Sequence, residues 1–370
     1  MKFTTFATAV AIAIAGAAQA QAQTDMTISQ WTGPKHPVAT GYAPFVAKLT
    51  ENGFNVQTFE GGALLGATPA LAGIGDGIAD MGMLAMTYFP AEFPNAQLVA
   101  DMGLATPNNM AAMGAAIEYN LLQCPECLDE YKAQNVLYLG TYATAPYSII
   151  STEPIRSTAD LAGKKMRVPG SLWSRWAQHV GGIEVNVPSS EMFEGLDKGA
   201  LDIAIQAPGS FRSYQLWDAA KYLTTLNLGT YHSLSLMTTN RDWWAALTDE
   251  QRALIKGQAA QVSVDSTIAY TAADTDVLAE LDQHGVELIE PSAEMLADKD
   301  AFVAADLPII VTNAESAYGV TDAQAKVDML QGLIDKWAGI VEETGGDRDQ
   351  MIARLNAEVF DKLPADYGMN

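Results

Sequence analysis

Between residues 26 and 84 the chain alternates short apolar runs with helix-patterned stretches, and nothing else in the sequence limits the fold as much. Met26–Trp31 reads as a strand, GPKHP as a turn and Val38–Thr50 as a helix. Phe54–Phe59 reads as a second strand ending at Gly61-Gly62, Pro69–Gly75 as a short helix, and Ala79–Leu84 as a buried strand. A β-α-β-α-β succession implies right-handed crossovers and a mostly parallel sheet. Such sheets bind ligands at the carboxyl ends of their strands. Those ends carry Thr32–His36, Glu60–Leu64 and Ala85–Tyr88.

A second unit of the same kind follows. Val136–Tyr142 and Tyr147–Ser151 are predicted strands, Ser157–Leu161 a short helix and Lys165–Val168 a strand. Then come a helix over Trp173–Val180, a strand over Glu184–Val187, a helix over Ser189–Lys198 and a strand over Leu201–Gln206. Near Leu234–Thr239 the chain is expected to rejoin the first sheet. Thr248-Asp-Glu-Gln251 is a capping box before a long helix to about Leu281, and Thr321-Asp-Ala-Gln324 is read as another. After it Val327, Leu330, Ile334, Trp337 and Val341 form a helical stripe. Two α/β units joined by strands describe two lobes with a cleft between them, and 370 residues suffice for both.

The first residues, MKFTTFATAVAIAIAGAAQAQAQ, pair an early lysine with an apolar stretch and small-residue sites near Ala20 and Ala22. This reads as a secretory signal peptide, so the mature protein is expected to be soluble and exported. The stretch is short and alanine-rich for a membrane anchor.

A formal charge of −23 argues against nucleic acid and against an anionic membrane surface. In so acidic a chain an anion site needs a locally positive pocket. The segment GKKMRVPGSLWSRW, residues 163–176, offers one candidate: Arg167 in the middle of a predicted strand, with Trp173 and Trp176 just beyond it. The arginine is either a surface charge or a pocket cation.

Cys124-Pro-Glu-Cys127 holds the only two cysteines. In an exported protein the pair reads first as a disulfide, with a thiol-disulfide oxidoreductase as the alternative. Its sequence context places it inside or just after a helical stretch, unlike a redox pair that opens a helix. His36, His179, His232 and His284 are scattered and read as surface or loop residues, so neither a metal site nor a cofactor is expected. No GxSxG, HExxH or P-loop is present, and the Gly73-Ile-Gly75 pair lacks a dinucleotide fingerprint. Enzyme chemistry is therefore not expected.

Five segments together resemble the periplasmic solute-binding subunits of TRAP transporters, the DctP-like proteins. They are the His-Pro turn before the first helix, GGALLGATPALAGIGDGIADMGML, EPIRSTADLAGKKMRVPG, EMFEGLDKGALDIAI and DWWAALTDEQRALI. The resemblance covers the mature chain to about Leu281. It implies an α/β, two-lobed periplasmic binding protein fold with mostly parallel sheets, and a long helix spanning both lobes. In these terms residues 1–22 are the signal peptide, 23–146 the first part of lobe I and 147–230 lobe II. Residues 231–281 are the return to lobe I with the spanning helix, and 282–370 are helices packing on lobe II or on a dimer partner.

The resemblance also implies that Arg167 binds a ligand carboxylate, which suits the planar guanidinium fork. Closure would be a hinge motion about the crossing strands. Members that bind sialic acid carry a second arginine upstream, where Tyr147 stands here. Gln206 is the nearest polar substitute for an asparagine that contacts ligand in many members. Trp173, Tyr88, Phe211, Tyr214 and His36 complete the candidate ligand residues, with core packing the alternative for the tryptophans. The implied partners are a small organic acid and the TRAP membrane subunits, and an ABC-type binding protein is the alternative class. One arginine leaves dicarboxylates, keto acids, sugar acids, aromatic acids and zwitterions such as ectoine all open.

Overall fold

The computed structural model describes residues 23–369, and the signal-peptide reading lies outside them. Eleven strands form two sheets. In chain order they are β1 (Thr24–Ser29), β2 (Phe54–Phe59), β3 (Met81–Ala85), β4 (Val136–Leu137), β5 (Ser148–Ser151) and β6 (Lys165–Val168), followed by β7 (Ile183–Asn186), β8 (Ile203–Gln206), β9 (Tyr222–Thr224), β10 (Leu234–Asn240) and β11 (Glu287–Ile289). The first sheet has the order β2-β1-β3-β10-β4 and the second β11-β9-β5-β8-β6-β7.

Both sheets are mixed rather than mostly parallel. The departures have one cause: every antiparallel pairing involves β5 or β10. These strands carry the chain into the second sheet and back to the first, so they enter against the local direction. The β-α-β units themselves remain parallel.

The strand expected over Val136–Tyr142 is ordered as a strand only at Val136–Leu137. Beyond it the chain leaves the sheet and crosses between lobes beside the returning segment. Thr144 N–H donates to the Tyr231 carbonyl at 2.9 Å, and Tyr147 N–H to the Gly229 carbonyl at 2.7 Å. Leu228 N–H in turn donates to the Tyr147 carbonyl at 2.9 Å. Two crossovers bonded to one another form a narrow hinge whose backbone groups are satisfied.

The Thr248–Gln251 capping box forms as read and opens a 32-residue helix, Asp249–Glu280. Its first half packs on the helix Pro37–Glu51, where a side chain at Gly41 would fall 2.1 Å from Ser266 Oγ. Its far end places Val277 in the core of the second lobe, beside Leu223, Phe211 and Ile150. One rigid element thus reaches both lobes.

The C-terminal part divides differently from the expectation. β11 joins the second sheet, but the helix Ala323–Thr344 packs on Asn109–Glu118 beside the first sheet. There Trp337 lies over Gly114, whose missing side chain gives it room, and donates to Glu118 at 2.8 Å. The stripe from Val327 to Ile340 is therefore filled by this chain's own core. The helix Ala293–Tyr318 lies between the lobes and touches both. The second capping box does not form: after the left-handed Gly319 the chain turns again at Asp322, φ 53°, so the helix starts at Ala323 and Thr321 lies outside its cap.

Candidate functional site

In β6 the side chains of Met166 and Val168 enter the core, while Arg167 points the other way, toward the join between the lobes. Its side chain is nevertheless 1% exposed. Nε donates to the Val187 carbonyl at 3.0 Å, Nη1 to the Ile205 carbonyl at 3.4 Å and Nη2 to the Tyr88 hydroxyl at 3.2 Å. Those contacts use three of its five N–H groups and leave one on each terminal nitrogen. No carboxylate lines the cavity that it faces. Burying a cation without a counter-charge is costly, and such a group asks for an anion.

The Pro-Gly pair after β6 lets the lobes approach closely. A Cβ on Gly170 would lie 2.8 Å from Thr87 of the first lobe. Tyr88 bridges the same seam, since its hydroxyl also accepts the Ser189 N–H at 3.0 Å.

The cavity wall is built mainly from tyrosines. Tyr88 comes from the end of β3, Tyr142 and Tyr231 from the two crossovers, and Tyr147 from the start of β5. Tyr214 follows the short helix Ser210–Ser213, and Tyr270 sits in the spanning helix. Tyr147 and Tyr231 stack with 6.4 Å between ring centroids, and Tyr142 and Tyr270 with 5.2 Å. Burial raises the pKa of Tyr142, Tyr147, Tyr214, Tyr231 and Tyr270, so these phenols stay protonated. The free space at the centre is about 20 Å³, enough for about one water molecule. The lobes are shut.

Of the residues expected at a ligand, Arg167, Tyr88, Tyr147, Gln206 and Tyr214 line this cavity. Three others do not. Trp173 stands behind the wall, 5.3 Å from Tyr147 and 5.8 Å from Tyr231, and its indole N–H is spent on the Leu228 carbonyl at 2.9 Å. Phe211 stacks on Trp217 at 4.8 Å in the second lobe's core, because its short helix turns that face inward. His36 is not a surface histidine but is 2% exposed. It caps the helix Pro37–Glu51 through Nδ1 and holds Tyr270 through Nε2 at 2.8 Å. His232 is likewise buried. Trp176 packs on Phe302 at 5.3 Å.

Tyr142, Tyr231 and Tyr270 were not legible as site residues. Two lie in irregular crossovers, and the third is one tyrosine in a helix of ten buried positions.

Cys124 and Cys127 form a disulfide. Contrary to the sequence reading, the pair opens a helix, Pro125–Ala133, with Cys124 as its cap. It follows the helix Asn109–Glu118 through a single π-helical turn, not a strand, and both cysteines are 1% exposed. A buried disulfide offers no sulfur to an incoming thiolate.

Two α/β lobes shut over a buried cavity, with an unpaired cation in its wall, define a two-lobed solute-binding protein. Residues 28–310 match the family described as bacterial extracellular solute-binding protein, family 7, the DctP family. The chain belongs to that family, whose members bind solutes and carry out no chemical step. A solute-binding protein of Albidiferax ferrireducens is 21% identical over 252 residues, which are 68% of this chain and 73% of the relative.

Among solved structures, a marine metagenome TRAP solute-binding protein specific for aromatic acids superposes with a TM-score of 0.74 at 21% identity, covering 85% of this chain and 99% of the other. The galactonate complex of the sugar-acid-binding protein from Advenella mimigardefordensis gives 0.73 at 18% identity, with coverage of 85% and 99%. A TRAP solute-binding protein from Bordetella bronchiseptica with bound mandelate gives 0.71 at 20%, with coverage of 84% and 99%. At these identities the likeness is one of fold.

Proposed function

We propose that this chain captures a small organic acid between its lobes in the periplasm, holds the carboxylate on Arg167, and delivers the acid to the membrane subunits of a TRAP-type secondary transporter. One observation carries the reading: a buried arginine with no carboxylate partner, aimed into a closed cavity and left with one N–H on each terminal nitrogen. A carboxylate is the anion that such a fork meets. The acids bound by the three structural relatives, an aromatic acid, galactonate and mandelate, support the same class.

The test is a thermal-shift screen of the mature protein against mono- and dicarboxylates, sugar acids, aromatic acids and zwitterions. A true ligand at 100 times its dissociation constant adds about 2.7 kcal/mol to the stability of the folded state. At least one acid is expected to raise the melting temperature, and Arg167→Ala is expected to abolish that shift. A shift that survives the substitution would overturn the carboxylate anchor.

A further inference from the structure

The geometry points to a cavity that receives oxygen acceptors, so that beyond its carboxylate the ligand presents a carbonyl-type oxygen and no ammonium group: a 2-oxo acid rather than the matching amino acid. This deepens the reading above and rests on Arg167 holding the carboxylate. Three tyrosine hydroxyls carry it. In each, a donor of fixed direction engages the oxygen and leaves the O–H proton to give.

Tyr88 is the simplest case. Its oxygen accepts from the Ser189 N–H at 3.0 Å and from Arg167 Nη2 at 3.2 Å. Two donors fill its acceptor positions, so what remains is its own proton. Tyr147 is oriented through Gln206. The Ala207 N–H donates to Gln206 Oε1 at 2.9 Å, which fixes the amide and turns Nε2 toward the Tyr147 hydroxyl.

Tyr142 stands at the end of a longer chain. The Val38 N–H donates to His36 Nδ1 at 3.3 Å, so the ring proton sits on Nε2. Nε2 is 2.8 Å from the Tyr270 hydroxyl and donates to it, and Tyr270 in turn donates to Tyr142. Burial lowers the His36 pKa to about 3, which keeps the ring neutral and the direction single. His36 is thus a positioning residue: it reaches the cavity only through Tyr270.

No carboxylate lines the cavity to receive an ammonium, and the Arg167 cation repels one. A carbonyl oxygen accepts from one or two of the phenols. A plain acid leaves them without a partner in a dry site, which costs affinity.

Calorimetric titration of the mature protein with two matched sets tests this. One set is pyruvate, L-lactate, L-alanine and propionate. The other is phenylpyruvate, L-phenyllactate, L-phenylalanine and 3-phenylpropionate. In the set that fits, the 2-oxo acid is expected to bind at least about tenfold tighter than the amino acid and the plain acid. Tyr142→Phe and His36→Asn are each expected to lower the ratio of oxo-acid to plain-acid affinity several-fold. His36→Gln is expected to keep the ratio, because its amide N–H falls where Nε2 stands, whereas asparagine keeps only the helix cap. Circular dichroism confirms that each variant folds. An amino acid that binds as tightly as its oxo partner, or a wild-type ratio in a folded His36→Asn protein, would overturn the inference while leaving the carboxylate anchor standing. If no acid of either set binds, or if binding ignores Arg167→Ala, the anchor itself is wrong and this inference falls with it.

Discussion

Tyr88 of the first lobe accepts a hydrogen bond from Arg167 of the second at 3.2 Å, across the seam where the lobes meet. The same phenol accepts the Ser189 N–H, also from the second lobe. Tyr88 is therefore a latch as well as part of the cavity wall, and ligand binding and closure share one hydroxyl. Tyr88→Phe keeps the ring and its packing on Trp31 at 6.1 Å but removes both bonds. Each net bond contributes about 1 kcal/mol, so the variant is expected to bind its acid about tenfold or more weakly. Small-angle scattering of the ligand-free protein is expected to show a larger radius of gyration. Unchanged affinity and unchanged radius together would mean that the latch contributes nothing.

Arg167→Ala is expected to weaken binding by about 2–5 kcal/mol, because truncation leaves a buried carboxylate without its partner. Arg167→Lys is also expected to lose affinity. An ammonium cannot hold the Val187 and Ile205 carbonyls, the Tyr88 hydroxyl and two carboxylate oxygens at once. Calorimetry with the acid returned by the screen measures both. A lysine variant at wild-type affinity would reduce the arginine's part to that of a point charge.

Arg167 was legible because a strand of four residues, KMRV, allows only two directions for each side chain, and the apolar pair takes the core. Tyr147 and Gln206 were legible for the same reason, one just before β5 and the other ending β8. The rest of the wall was not. Tyr142 and Tyr231 stand in crossovers that have no period to read, and their direction is set by the bonds between the two segments. Tyr270 obeys the helical spacing, but which side of a spanning helix meets the cleft depends on how both lobes dock on it. Trp173 shows the converse limit. Sequence placed it just past the strand, and only the Leu228 carbonyl, 2.9 Å from its indole nitrogen, decides that it faces away.

Asp274, on the spanning helix, accepts the Gly209 N–H of the second lobe at 2.7 Å. Burial raises its pKa to about 7, and the bond from Gly209 opposes part of that rise. An ordinary aspartate titrates near 3.9. The folded state therefore holds the proton more tightly than the unfolded state does. This contribution is present below about pH 4 and is lost as pH rises toward 7. Asp274→Asn keeps an acceptor for Gly209 without the charge. Its stability relative to wild type is expected to be near zero at pH 4 and to grow toward on the order of 3 kcal/mol by pH 8. Urea unfolding of both proteins at pH 4, 6 and 8 measures the difference. A difference that stays flat with pH would show that solvent reaches the carboxylate and keeps its titration ordinary.

The disulfide closes a loop of only a few residues, and loop entropy assigns such a link about 2 kcal/mol. Part of that is recoverable by serine. Cys124 Sγ already accepts the Cys127 N–H at 3.1 Å as the cap of its helix, and a serine hydroxyl is a better cap than sulfur. The double substitution Cys124→Ser and Cys127→Ser is therefore expected to cost no more than about 2 kcal/mol in urea unfolding. It is also expected to leave acid affinity within a few-fold of wild type, because neither cysteine lines the Arg167 cavity. The untreated protein is expected to show no free thiol and no activity in an insulin-reduction assay, since both cysteines are 1% exposed. Loss of acid binding in a double variant that still folds would instead tie the helix Pro125–Ala133 to the state of the cleft.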